Sequence, residues 1–114
     1  MDKEVSKSLK EVNSIVGFVY YLKETMENDY IDNIVVKFRS KLDMDVLVSV
    51  STYEKITPII LMIEANLYTR PMLKAKKVAR LQNSLSVLTE NDETIKIFVY
   101  SEAEFNEITQ GRIK

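Results

Sequence analysis

Two carboxylates have the type and placement to do chemistry. Asp45, in Asp43-Met-Asp45-Val-Leu-Val, and Glu64, in Pro58-Ile-Ile-Leu-Met-Ile-Glu64-Ala-Asn66, each stand at one end of an apolar run short enough to be a single β-strand. If those strands pair, the two acids share a divalent metal ion. Mg2+ or Mn2+ is the expected ion, because hard cations take carboxylate, water and phosphate oxygens. Such an ion neutralises charge on a phosphodiester and lowers the pKa of an attacking water. Glu64 follows an unbroken apolar run in the strand expected to be most buried, and a buried carboxylate is costly unless it is paired or metal-bound. Acids also occur at strand ends simply because they reach water there, and Asp43 beside Asp45 reads as turn chemistry.

Composition removes most alternatives. With no His and no Cys, the chain has no imidazole base, thiol nucleophile, disulfide or zinc site of the usual kind. Two Gly and two Pro argue against Gly-rich phosphate cradles and long structureless loops. At 114 residues, 46% hydrophobic and 29% charged, the whole of 1–114 is expected to be one domain with one core. A net charge of −1 exerts no global pull on nucleic acid, so a nucleic-acid site would need its cations gathered on one face. The opening Met1-Asp2-Lys3-Glu4 is charged where a leader would be apolar. The run Ile59–Ile63 falls far short of the ~20 residues of a membrane span, so a cytoplasmic protein with no membrane contact is expected.

The elements that must position the acids follow from periodicity. Residues 2 to about 27 predict an amphipathic helix through Val5, Leu9, Val12, Val16, Val19, Leu22 and Met26. Phe18, Tyr20 and Tyr21 widen its apolar stripe, which helix-on-sheet packing can absorb or a homodimer contact can use. Ile34–Phe38 and Val46–Val50 predict two strands, and the short link Arg39–Asp43 favours an antiparallel hairpin. After a polar connection at Ser51–Lys55, Ile59–Glu64 predicts a third strand. A helix over Thr52–Leu67 is the alternative, set aside because Pro58 in its middle would cost about 3 kcal/mol. Pro71 then opens a helix to about Leu88 through Val78, Leu81, Leu85 and Leu88, with Arg70, Lys74, Lys76, Lys77 and Arg80 crowding its first half. Ile95–Tyr100 predicts the fourth strand, and Ser101 caps a short last helix before the Gly111–Lys114 tail. The expectation is an α/β domain, a mixed four-stranded sheet flanked by helices in the order αβββαβα.

That order, with Asp45 opening the second strand, Glu64-Ala-Asn66 closing the third and the Lys-rich segment Lys74–Arg80 following, resembles the core of the PD-(D/E)xK nuclease superfamily, which includes restriction endonucleases and archaeal Holliday-junction resolvases. The resemblance spans nearly the whole chain in element order and rests on two acids in motif. It implies a Mg2+- or Mn2+-dependent nuclease cleaving DNA, with Asp45, Glu64 and the carbonyl of Ala65 as metal ligands. The family's lysine falls at Asn66, which holds a water by hydrogen bonds but carries no charge. Lys74 is the candidate substitute, and Glu24 or Glu27 the candidate extra acid. Arg39, Lys41, Arg70, Lys74 and Lys77 would contact the phosphate backbone, which supplies most non-specific affinity. A descendant that has lost catalysis and binds nucleic acid or a protein is the alternative. The Asp43-x-Asp45 pair also resembles minimal nucleotidyltransferases, but their upstream Gly-Ser turn and later-strand acid are missing here.

Overall fold

Asn13 opens the first helix, α1 (Ser14–Thr25), by accepting the N–H groups of Ile15 and Val16 on its Oδ1 at 2.9 and 3.0 Å. The computed structural model of the chain describes residues 13–25 and 30–110. The expected helix before Asn13 and at Met26–Glu27, and the Gly111–Lys114 tail, lie outside the described residues. From α1 the chain runs β1 (Ile31–Ser40), β2 (Asp43–Val50), a 3-10 turn (Tyr53–Lys55), α2 (Ile56–Thr69), a second 3-10 turn (Pro71–Leu73), β3 (Ala75–Arg80), β4 (Ser84–Thr89), β5 (Thr94–Ser101) and α3 (Glu102–Gln110).

The five strands form one mixed sheet in the order β1-β2-β5-β4-β3. The β1–β2 hairpin is antiparallel, as its short link requires, with Val36 opposite Val46. β5 lies parallel to β2, with Val46 beside Ile97, and antiparallel to β4. The return from β2 to its parallel neighbour is therefore long: it carries α2 and the β3–β4 hairpin.

Alternation divides the sheet cleanly. Ile34, Met44, Val46, Val48, Leu85, Val87, Ile95, Ile97 and Val99 share one face and form the main core with Ile15, Val16, Val19 and Leu22 of α1 and Ile59, Ile60, Ile63 and Leu67 of α2. Lys37, Asp45, Leu47, Lys96, Phe98 and Tyr100 alternate onto the opposite face. There α3 lies against β2 and β5 and buries Phe105.

Two expected elements are corrected. Ile59–Glu64 is not a strand but the middle of α2. That helix begins at Ile56, which places Pro58 in its first turn, where the missing N–H has no intrahelical partner to lose. The expected helix from Pro71 to Leu88 is instead β3 and β4. In β4 the sequence Ser84-Leu-Ser-Val-Leu-Thr89 buries Leu85 and Val87 on the core face, a period of two that the three- and four-residue spacing of the same leucines conceals. Leu81, expected in a buried stripe, is 65% exposed in the β3–β4 turn. The sheet thus has five strands, and the order αββαβββα replaces αβββαβα. The cations of Lys76, Lys77 and Arg80 lie on β3, an edge strand, where charge discourages strand pairing with other chains.

Candidate functional site

Asp45 sits on β2, on the face away from α1 and α2. Its register neighbours are Lys37 on β1 and Lys96 on β5. Its Oδ2 accepts from Arg39 Nε at 3.1 Å and pairs with Nη2 at 3.0 Å; Asp45 is 13% exposed and Arg39 52%. Its Oδ1 is buried without a hydrogen-bond partner, as is Oδ1 of Asp43. Asp43 and Asp45 are two residues apart on one strand and so share this face. Nearby, burial pushes the Tyr100 phenol above its ordinary value, and the charges of Glu104 and Asp45 add to the rise.

Glu64 belongs to the other layer. It projects from α2 and pairs through Oε1 with Arg80 Nε at 2.8 Å. Arg80 is register partner of Leu85, a core-face residue, so this pair lies on the side of the sheet that carries α1 and α2. The sheet stands between Asp45 and Glu64, and one ion cannot be held by both. Each acid has an arginine partner instead. The expectation of paired strands failed because Glu64 is helical.

The other candidates are dispersed as well. The Ala65 carbonyl accepts from the Thr69 hydroxyl at 3.0 Å within α2. Asn66, at the helix end, donates to the Met62 carbonyl at 2.8 Å and accepts from Arg70 Nε at 2.6 Å, so its amide fastens helix and following turn. Arg70 also lies over the Phe18 ring, 5.6 Å from its centroid. Lys74 closes the second 3-10 turn in a left-handed conformation (φ 57°) just before β3, and β5 and β4 separate that strand from β2. Lys77 is on the same edge, whereas Arg39 and Lys41 are at the β1–β2 hairpin on the opposite edge. The five cations expected to track a phosphate backbone do not make one stripe. Glu24 is on α1, and Glu27 lies outside the described residues. Among the described residues no group of three or more acidic side chains is placed to hold a metal ion.

Sequence reasoning missed the outer surface of the helical layer. Taking the inward residues of α2 as Ile56, Ile59, Ile60, Ile63 and Leu67, a rotation of 100° per residue puts Pro58, Leu61, Ala65 and Tyr68 on its outward side. All four are exposed, Leu61 by 44% and Tyr68 by 65%. Past the helix end, Met72 is 67% exposed, and it shares with Phe18, Tyr21 and Arg70 an apolar groove of about 350 Å³. Of the first helix's surplus aromatics, Phe18 is buried, Tyr20 half-buried and Tyr21 exposed. The available signal was α2's composition: ITPIILMIEANLYT has too many apolar residues for one buried face.

A second, polar recess of about 270 Å³ lies where α1 begins, bordered by Asn13, Lys74, Thr89 and Glu93. Glu93 Oε1 accepts from Asn13 Nδ2 at 3.0 Å and from the Thr89 hydroxyl at 3.1 Å, which ties the helix start to the β4–β5 turn. No protein-family model and no curated protein sequence matches the chain.

Proposed function

We propose that the chain is a non-catalytic interaction domain that docks a protein partner on its helical layer. The observation that carries this reading is α2, apolar on both sides: one side fills the core and the other exposes Leu61, Ala65 and Tyr68. A helix that is apolar all round belongs in an interior, and the described chain covers only one side of this one. Exposed contiguous apolar area of this kind marks an interaction surface. The test is a double replacement, Leu61→Lys with Tyr68→Lys. Folding stability stays within about 0.5 kcal/mol of the parent, as for other surface substitutions. Retention on a phenyl resin falls. A large loss of stability, or unchanged retention, overturns the reading.

A second reading rests on the buried, unpartnered Oδ1 atoms of Asp43 and Asp45. Two carboxylates on one strand face would offer Mg2+ or Mn2+ hard oxygen ligands, the ion's remaining positions taken by water or phosphate oxygens. A metal-dependent nuclease acting on DNA, the activity the resemblance implies, would then be built on this pair, without Glu64. Mn2+ titration followed by thermal unfolding distinguishes the cases. A metal site gives a rise in Tm that Asp43→Asn and Asp45→Asn abolish and Glu64→Gln leaves intact. Absence of any rise, together with intact plasmid DNA after incubation with Mg2+ or Mn2+, removes this reading.

A further inference from the structure

The groove of about 350 Å³ between α1 and the turn after α2 is walled by Ser14, Phe18, Tyr21, Arg70, Met72 and Leu73. Leu61 and Tyr68 do not line it, so it is separate from the docking ridge on α2. We infer that this groove is a binding site for a small apolar monocarboxylate, with the Arg70 guanidinium taking the carboxylate and the aromatic wall taking the body.

Arg70 alone is charged among the described residues that line the groove. Its backbone N–H donates to the Asn66 carbonyl at 3.0 Å, and its Nε to Asn66 Oδ1 at 2.6 Å. Its guanidinium lies over the Phe18 ring, 5.6 Å from the centroid. These contacts fix the direction of the fork and leave its Nη groups without an acceptor among the described residues. Arg39 and Arg80, the other arginines among the described residues, each have a carboxylate partner, at 3.0 and 2.8 Å. Arg70 has none among those residues. A guanidinium held in place with its outer edge free matches a carboxylate, which accepts two parallel hydrogen bonds from it.

The rest of the groove suits an apolar body. Phe18 and Leu73 are buried and form its floor, and Tyr21 and Met72 stand exposed beside them. The Phe18 and Tyr21 rings stack with centroids 6.4 Å apart, and a methionine side chain adapts to what lies against it. Polar groups of the wall are used internally. The Ser14 hydroxyl donates to the Leu73 carbonyl at 3.2 Å, the Leu73 N–H to the Arg70 carbonyl at 3.0 Å, and the Lys74 N–H to the Pro71 carbonyl at 2.9 Å. An extended peptide laid there meets no free N–H from Pro71, Leu73 or Lys74, a cation meets Arg70, and a nucleic-acid backbone finds a single counter-charge. An apolar pocket with one placed charge is the usual form of a small-ligand site. At roughly 30 Å³ per non-hydrogen atom, the share of a water in the liquid, the groove holds about a dozen such atoms.

Naphthoate, two fused rings and a carboxylate, has that size and is the probe. Calorimetric and fluorescence titration of the full chain gives a Kd of about 1 mM or tighter. Naphthylmethanol, the same body without the charge, binds about tenfold more weakly or worse, an arm that needs no variant. Arg70→Gln weakens naphthoate by about tenfold or more, and Met72→Gln weakens both ligands by about threefold, with circular dichroism unchanged. The Leu61→Lys, Tyr68→Lys chain binds naphthoate within about twofold of the parent. No saturation of the parent up to about 5 mM naphthoate overturns the site. So does an alcohol as tight as the acid, or an Arg70→Gln chain that binds as the parent does. Loss of binding in the Leu61→Lys, Tyr68→Lys chain moves the ligand to the ridge and overturns the groove site alone, while the docking reading stands or falls on phenyl-resin retention.

Discussion

Asn13 is the residue whose replacement most directly tests how the helical layer is held on the sheet. Its side chain is 4% exposed and does two jobs: Oδ1 caps α1 through Ile15 and Val16, and Nδ2 donates to Glu93 of the β4–β5 turn. Truncation to Ala removes a helix cap, about 1 kcal/mol. It also removes a hydrogen bond to a carboxylate, about 1.5 kcal/mol at the low end of its range, because the Thr89 hydroxyl still holds Glu93 Oε1. The sum is about 2.5 kcal/mol. For 114 residues the unfolding entropy near the midpoint is about 0.24 kcal/mol/K, so Tm falls by about 10 °C. Asn13→Ser keeps the cap and loses only the bond to Glu93, a drop of about 6 °C. Asn13→Asp keeps the cap but sets a second carboxylate against Glu93. That variant loses the hydrogen bond to Glu93 and adds like-charge repulsion, so its Tm lies below that of Asn13→Ser. Calorimetry of the three variants is the assay. An Ala variant within about 2 °C of the parent, or a Ser variant as weak as the Ala one, refutes the two-part account of this side chain.

Four further outcomes follow from the same geometry. Tyr100→Phe flattens the alkaline limb of the stability curve: the folded phenol holds its proton above the ordinary value, so the parent loses stability as pH rises past about 10, which phenolate absorbance and urea unfolding both follow. Pro58→Ala, in the first turn of α2, lowers stability by about 0.4–1 kcal/mol through a freer unfolded chain; a gain of stability would show Pro58 to be an interior breaker instead. Arg80→Ala, at a half-exposed ion pair, costs less than about 1 kcal/mol at low ionic strength and less again in molar salt, as denaturant titration at the two salt levels measures. Lys74→Gly relieves a left-handed backbone position and is neutral to about 1 kcal/mol stabilising by the same measurement, the reverse of what loss of a site lysine does to activity.

Much of the fold was legible where the local pattern has one solution. The β1–β2 hairpin followed from two β-branched runs joined by a link too short for a parallel return. The strand expected over Ile95–Tyr100 is β5, one residue longer at each end, and the last helix follows from the Ser101 start. The β3–β4 hairpin did not, because Val78, Leu81, Leu85 and Leu88 fit a 3.6-residue period while Leu85 and Val87 fit a period of two. Nothing within the segment decides between them. What decides is pairing: β4 bonds to β3 on one side and to β5 on the other, so its backbone groups are satisfied by the strands before and after it and not by its own turns.

The site was misread for the same reason as α2. Ile59–Ile63 is apolar without periodicity, and an unbroken apolar run is what a strand buried on both faces and a helix covered on both sides have in common. Reading it as a strand placed Glu64 at a sheet end beside Asp45; as a helix, the same residues send Glu64 to Arg80 and leave Asp45 to Arg39, on opposite sides of the sheet. Coverage on both sides did not survive the change of element: Ile59, Ile60 and Ile63 are buried, whereas Leu61 is 44% exposed. A strand would have met that requirement with two layers of its own domain. An α2 that uses one side for the core has only one layer, and its remaining side exposes Leu61 and Tyr68. The apolar surplus that hid the helix in the sequence is the surplus left exposed at Leu61 and Tyr68.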